Sequence, residues 1–179
     1  RENRHVGDRI GLACDPRLAL QLLVHHAIQA LGLVGVAVDR FGNIYVADSQ
    51  NNRIQKWAPG ATAGTTVAGG NGAGSGTNQL LYPSGVAVDG DGNIYIADTT
   101  NNRIQKWAPG ATAGTTVAGG NGEGSNPNQL FYPYGVAVDA AGNIYIGDTG
   151  NNRIQKWSPG AAVGTTVAGG NGEGPNPNQ

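Results

Sequence analysis

Gly35-Val36-Ala37-Val38-Asp39 stands again as Gly85-Val86-Ala87-Val88-Asp89 and as Gly135-Val136-Ala137-Val138-Asp139. The interval is 50 residues, and most of the unit returns with it: Gly42-Asn43-Ile44-Tyr45, Asn51-Asn52-Arg53-Ile54-Gln55-Lys56-Trp57, and Thr65-Thr66-Val67-Ala68-Gly69-Gly70. Residues 35–84 and 85–134 are identical at 40 of 50 positions. A fixed period of this size marks an array of one supersecondary unit.

The unit reads as four short strands. Gly35 to Asp39 is β-branched and extended. Asp39-Arg40-Phe41-Gly42-Asn43 is a hairpin loop, a type I turn with glycine at the left-handed position. Ile44-Tyr45-Val46-Ala47 is apolar on both faces, the pattern of a strand covered on both sides. Asp48 to Asn52 is the next turn. Arg53 to Trp57 is a third strand, ended by Ala58-Pro59-Gly60 because proline cannot donate to a ladder. Thr65 to Ala68 is the fourth. Four antiparallel strands in about 50 residues make one propeller blade. A helical repeat is excluded: no 3.6-residue periodicity runs through the unit, and glycines punctuate it throughout.

The motif Ala-Val-Asp-x-x-Gly-Asn-Ile-Tyr-(Ile/Val)-(Ala/Gly)-Asp-(Ser/Thr)-x-Asn-Asn-Arg-Ile, present three times, resembles the NHL repeat. Tyr82-Pro83-Ser84-Gly85 and Tyr132-Pro133-Tyr134-Gly135 resemble that family's lead-in to the first strand. The first unit departs from it, with Leu31-Gly32-Leu33-Val34 in that place. The resemblance implies half of a six-bladed propeller with protein-interaction or scaffold roles.

The expected fold is therefore all-β: three four-stranded antiparallel blades at 35–84, 85–134 and 135–179, after an N-terminal segment at 1–34. That segment predicts one short amphipathic α-helix over about 16–31. Asp15 suits the N-cap and Pro16 the first turn. Leu20, Leu23, Val24, Ala27, Ile28 and Leu31 form one apolar stripe, and Gly32 is a natural stop. The helix is expected to cover an exposed edge of the array; a partner or membrane-surface helix and a remnant of another domain are the alternatives. Three blades are too few to close a ring, since propellers have four to eight. Asn178-Gln179 matches Asn78-Gln79 and Asn128-Gln129, after each of which a blade begins. Either further blades or self-association of two chains is expected to close the ring.

Composition narrows function by exclusion. Charged residues are 13% of the chain and the net charge is −1. Four arginines against three acids give residues 1–34 a charge of +1, leaving −2 on the repeats. That lacks the basic footprint of a nucleic-acid surface. Cys14 is the single cysteine, so no intramolecular disulfide is available. No stretch has the ~20 apolar residues of a membrane span. An extracellular or periplasmic location is expected over a cytoplasmic one.

The candidate constellations each have a structural reading. Asp48, Asn51, Asn52 and Arg53, with their copies at Asp98 to Arg103 and Asp148 to Arg153, form either a polar ligand row or a turn with an Asp–Arg pair between blades. Every blade needs that turn, so the turn reading is favoured. Asp39, Asp89 and Asp139, with Asn43, Asn93 and Asn143, cap hairpins; their spacing lacks the dense oxygen ligands of a calcium loop. Trp57, Trp107 and Trp157 read as packing between blades over sugar stacking. His5, His25 and His26 all precede the repeats, and the last two point about 100° apart on the expected helix. Gly69-Gly70-Asn71-Gly72 opens no helix and is an interblade loop, not a phosphate cradle. No catalytic residue, metal ligand or cofactor is assigned.

Near-identical repeats are most informative where they differ. The turn after the second strand reads Ser49-Gln50, Thr99-Thr100 and Thr149-Gly150, and the residue entering the first strand reads Ser84 and Tyr134. In a propeller these positions share one face. Ser49, Gln50, Ser84, Thr99, Thr100, Tyr134 and Thr149 are thus the candidate ligand-binding set, with Tyr134 foremost. Arg40 and Phe41 vary on the opposite face. The expected function is a non-enzymatic scaffold or binding module that presents a loop face to a protein or small ligand. Two alternatives are a fragment of a lyase- or lactonase-type propeller enzyme and an RNA-binding domain; the charge disfavours the second.

Overall fold

Three four-stranded antiparallel sheets follow one another along the chain in the computed structural model, which describes residues 33–179. The N-terminal helix expected at about 16–31 lies outside the described residues. The first blade runs β1 (Leu33–Val38), β2 (Ile44–Asp48), β3 (Arg53–Trp57) and β4 (Thr65–Gly69). The second runs β5 (Pro83–Val88), β6 (Ile94–Asp98), β7 (Arg103–Trp107) and β8 (Thr115–Gly119). The third runs β9 (Pro133–Val138), β10 (Ile144–Asp148), β11 (Arg153–Trp157) and β12 (Thr165–Gly169). Neighbours in sequence are neighbours in each sheet, a plain meander.

The first hairpin closes as its chemistry dictates. Gly42 takes φ +79° and donates to the Asp39 carbonyl at 3.0 Å. The Asp39 carboxylate accepts from the backbone N–H groups of Phe41 and Asn43, from the Asn43 amide and from the Tyr45 hydroxyl. Asp89 and Asp139 repeat all four bonds.

Blades stack through the two faces of their second strands. Tyr45 and Ala47 of β2 join Ile54 and Ala68 on one side of a buried seam; Val86, Ile94, Ile96 and Trp107 of the second blade fill the other, and Leu80 of the linker plugs it. Tyr95, Ala97, Ile104 and Ala118 meet Ile144, Ile146 and Trp157 with Leu130 in the second seam. Successive residues of β6 therefore serve opposite seams, the period-two consequence of a strand. Trp107 and Trp157 are 1% and 2% exposed, against 36% for Trp57. Trp107 and Trp157 pack between blades, as the sequence implies; Trp57 lies in neither seam.

The glycine that opens each of the first two repeats has a packing cause. A Cβ at Gly35 would collide with the Ser84 carbonyl oxygen, and one at Gly85 with the carbonyl oxygen of Tyr134. Inner strands approach too closely there for any side chain. At Gly135 the same space is open.

Candidate functional site

Register places the divergent positions at one end of the blades. Leu33 pairs with Asp48, Pro83 with Asp98 and Pro133 with Asp148, so each first strand begins beside the turn between strands two and three. That turn is one 3-10 turn (Ser49–Asn51, Thr99–Asn101, Thr149–Asn151) closed by an asparagine in left-handed conformation, Asn52, Asn102 or Asn152. Asparagine tolerates that region better than other residues with a Cβ.

An ion pair anchors each turn, buried in the second and third blades and half-open at Arg53 in the first. Arg103 Nε lies 2.7 Å from Asp98 Oδ2, and Asp98 is fully buried. Asn101 donates to the same carboxylate oxygen, and the Leu81 backbone N–H donates to the other. The remaining Arg103 nitrogens donate to the carbonyls of Ser75, Gly76 and Gln79 in the incoming linker. Asn101 reaches the Gly74 carbonyl. The third blade repeats this with Arg153, Asp148 and the carbonyls of Ser125, Asn126 and Gln129. The expected Asp–Arg pair between blades is thus corrected: it spans β2 and β3 type strands of one blade (Asp98 facing Arg103 in register), and the outer guanidinium nitrogens clasp the linker. An arginine fork has donors to spare after meeting one carboxylate oxygen. In the second and third blades these groups bond to one another and to the linker, as the turn reading expects.

The candidate set divides. Ser84 and Thr99 are buried, their hydroxyls 2.6 Å apart. Ser84 also reaches the Tyr134 carbonyl at 2.8 Å, and Thr99 donates to that of Pro133 at 2.9 Å. Ser49 is buried at the matching position of the first blade. These three sit where an inner strand leans on its neighbour, so a ligand on the face meets little of them. Gln50, Thr100, Tyr134 and Thr149 reach solvent.

Two exposed rings join them that the comparison of repeats does not single out, because they do not vary. Tyr82 and Tyr132 carry φ +48° and +47°, and their backbone N–H groups are held by the side-chain oxygens of Asn52 and Asn102. A bulky residue with positive φ is an outlier. Tyr132 lies against Phe131, ring centroids 4.9 Å apart, rather than under Tyr134.

The opposite face holds a hollow of about 540 Å³ between the hairpins of the second and third blades, lined by Asp89, Asp91, Tyr95, Lys106, Asp139 and Ser158 among others. The Asp89 carboxylate is spent on its own turn. Burial would raise its pKa, but the donors from Asn93, Tyr95 and the Asp91 backbone outweigh that and lower it. At Asp139 the Asn143 amide leads the same lowering. Among the described residues no group of three His, Cys, Asp or Glu is placed to hold a metal ion. No helix among them is long and apolar enough to cross a membrane.

The NHL repeat family model matches residues 32–57, 80–107 and 132–157, one match per blade. No curated protein matches the chain. Several solved structures share its fold. A protein of unknown function from Bacteroides thetaiotaomicron superposes with a TM-score of 0.61 at 21% identity, over 76% of this chain and 36% of its own. A chain of the nidogen–laminin complex gives 0.60 at 22% identity, over 79% and 49%. Streptogramin B lyase gives 0.51 at 16%, over 76% and 40%. At these identities the likeness is one of fold. This chain spans less than half the length of each, and the fold they share serves both an enzyme and a protein complex.

Proposed function

This chain is an NHL-repeat protein, and on that premise we propose that it is a non-enzymatic binding scaffold, part of a larger propeller, whose loop face meets a protein or small ligand. The observation that carries this reading is aromatic exposure on that face. Tyr82 and Tyr132 are 56% and 48% exposed; Tyr134, 52% exposed, stands on the free edge of the third blade, at the position that Ser84 holds inside a seam. Each offers an apolar ring tipped by a hydroxyl, the kind of group that interfaces favour. Two of the three are held in left-handed backbone by a neighbouring asparagine, and held outliers of this kind cluster at ligand clamps. Gln50, Thr100 and Thr149 supply polar variation around them, on turns fixed by ion pairs. Rigid scaffolds with variable loops are where binding residues concentrate. The nidogen–laminin structure is a precedent for a propeller of this fold in a protein complex.

The test is a selection from a displayed peptide and protein library against the chain. Binders are then measured on two variants: Gln50→Ala/Thr100→Ala/Tyr134→Ser/Thr149→Ala on the loop face, and Arg40→Ala/Phe41→Ala opposite. Loss on the first with retention on the second supports the proposal. The reverse pattern moves the site to the opposite face. Turnover of a small molecule by the chain replaces the scaffold reading with an enzymatic one.

A further inference from the structure

The glycine-rich stretch that leads out of each blade cradles no phosphate, yet it carries a reactive pair. Asn71-Gly72 opens the first interblade linker and Asn121-Gly122 the second, with a third copy at Asn171-Gly172. A backbone nitrogen can attack the side-chain amide of the residue before it, and glycine, which has no Cβ, hinders that attack least. Every other asparagine of the repeats precedes isoleucine, asparagine, arginine, glutamine or proline. Proline has no N–H to give, and the rest shield the nitrogen with a side chain.

The fold leaves the attacking nitrogen free and gives the attacked amide a structural task. Asn71, Gly72, Asn121 and Gly122 are all exposed. Among the described residues the Gly72 and Gly122 N–H groups donate to no backbone carbonyl, so nothing restrains them. The Asn71 amide donates to the Asn78 carbonyl at 3.0 Å and to that of Gly69 at 3.4 Å. The Asn121 amide donates to the Asn128 carbonyl at 3.0 Å and to that of Gly119 at 3.3 Å. Their own backbone carbonyls accept from the Gln79 and Gln129 amides at 3.1 Å. These bonds tie the start of each linker to its end. Arg103 and Arg153 hold that end through the carbonyls of Gln79 and Gln129. The amide bonds oppose the attack, but at an exposed position water replaces them when the side chain turns.

We propose that Asn71 and Asn121 are sites of self-modification, where spontaneous deamidation loosens the joint between blades. The Gly72 nitrogen gives up its proton and bonds to Asn71 Cγ, closing a succinimide. The Cγ–Nδ2 bond breaks, and the amide nitrogen leaves with that proton as ammonia. Water then opens the ring at Cγ, giving an aspartate at position 71, or at the backbone carbonyl, giving an isoaspartate. Water is the sole co-reactant and nothing is oxidised or reduced. Gly122 and Asn121 react alike. An amide offers two donors, whereas a carboxylate only accepts. In the aspartate product a negative oxygen therefore faces the carbonyls of Asn78 and Gly69, where a donor stood. In the isoaspartate product the chain runs through the former side chain, and the carbonyl that Gln79 holds becomes the free carboxylate. Either way the linker loses the bonds that present its end to Arg103.

The test ages the whole 179-residue chain in mildly alkaline and in weakly acidic buffer and reads its proteolytic peptides by mass spectrometry. Replacement of NH2 by OH should appear at Asn71 and Asn121 about tenfold or more faster than at any other asparagine between Asn43 and Asn152. It should be faster in alkali, because the attacking nitrogen must lose its proton. Methylation by an isoaspartate-specific methyltransferase should mark part of the product. The aged protein that anion exchange retains more strongly should unfold at lower urea than the fresh chain. Asn71→Asp/Asn121→Asp should do the same, and should be less stable than Asn71→Ala/Asn121→Ala, which loses the donors without placing a charge. The aged fraction keeps the test decisive if the aspartate variant fails to fold. Asn71 and Asn121 left intact in the folded chain, while the urea-unfolded chain converts, overturn the proposal. So do conversion at the same rate as other asparagines and an aged fraction with the urea midpoint of the fresh chain.

Discussion

Replacing Arg103 by alanine should be among the most damaging single changes in the chain, although the residue touches no candidate ligand surface. Its side chain is 9% exposed and its partner Asp98 is fully buried. Truncation removes the 2.7 Å contact to Asp98 Oδ2 and three further bonds that tie linker 75–79 to the second blade. The linker carbonyls can turn to water, so their loss is partly repaid. Asp98 cannot: it keeps only Asn101 and the Leu81 N–H as donors, with its charge buried. Removing one partner of a buried pair costs roughly 3–5 kcal/mol, mostly through the charge left behind. Urea unfolding followed by circular dichroism measures the loss. The double variant Arg103→Ala/Asp98→Asn should be milder than Arg103→Ala alone, since no uncompensated charge then remains. A single variant within about 0.5 kcal/mol of the parent, the range of ordinary surface changes, would refute the reasoning. So would a double variant less stable than the single one.

Three further outcomes are expected. Trp107→Ala should destabilise by about 3–5 kcal/mol, as a large-to-small change at a side chain 1% exposed in the first seam, measured by the same unfolding assay. Gly85→Ala should destabilise by about 1–3 kcal/mol or more, because the new methyl meets the backbone carbonyl of Tyr134 rather than a flexible side-chain end. Asp39, Asp89 and Asp139 have carboxyls held below their usual range by hydrogen bonds, so the unfolded chain binds more protons than the folded one in acid. The stability that they contribute is present above the ordinary carboxylate pKa near 3.8 and is lost as pH falls through the lower folded values. A pH series of melting temperatures should fall over that interval, and Asp89→Asn should flatten it; an unchanged slope counts against the hairpin assignment.

How much was legible follows from which forces act within one repeat. Hairpin loops and strand ends are local. Asp39 and Gly42 carry their turn in their own side-chain bonds and backbone freedom, and the four-strand meander of each blade falls within about two residues of the pattern in the sequence. The tryptophans were readable as packing groups because they recur at strand ends before proline and glycine. Comparison between repeats found Tyr134, which varies, and passed over Tyr82 and Tyr132, which do not. Their exposure belongs to a loop held out by Asn52 and Asn102, thirty residues earlier in each case.

What the chain determines by itself is the blade: a 50-residue period, alternating apolar faces and turn residues at fixed offsets, with the turns and ladders closed by contacts close in sequence. Only the tertiary structure decided what the polar positions are for. Ser84 and Thr99 read as exposed loop hydroxyls, yet they lie at a seam and bond to Tyr134 and Pro133 of the next blade. The aspartate–arginine motif reads as a pair between blades, yet it closes within one blade and leaves the guanidinium to hold the linker. The reason is geometric. Blades stacked about an axis bring residues 24–50 positions apart into contact, and the burial and spare hydrogen-bonding capacity created there belong to neither repeat alone.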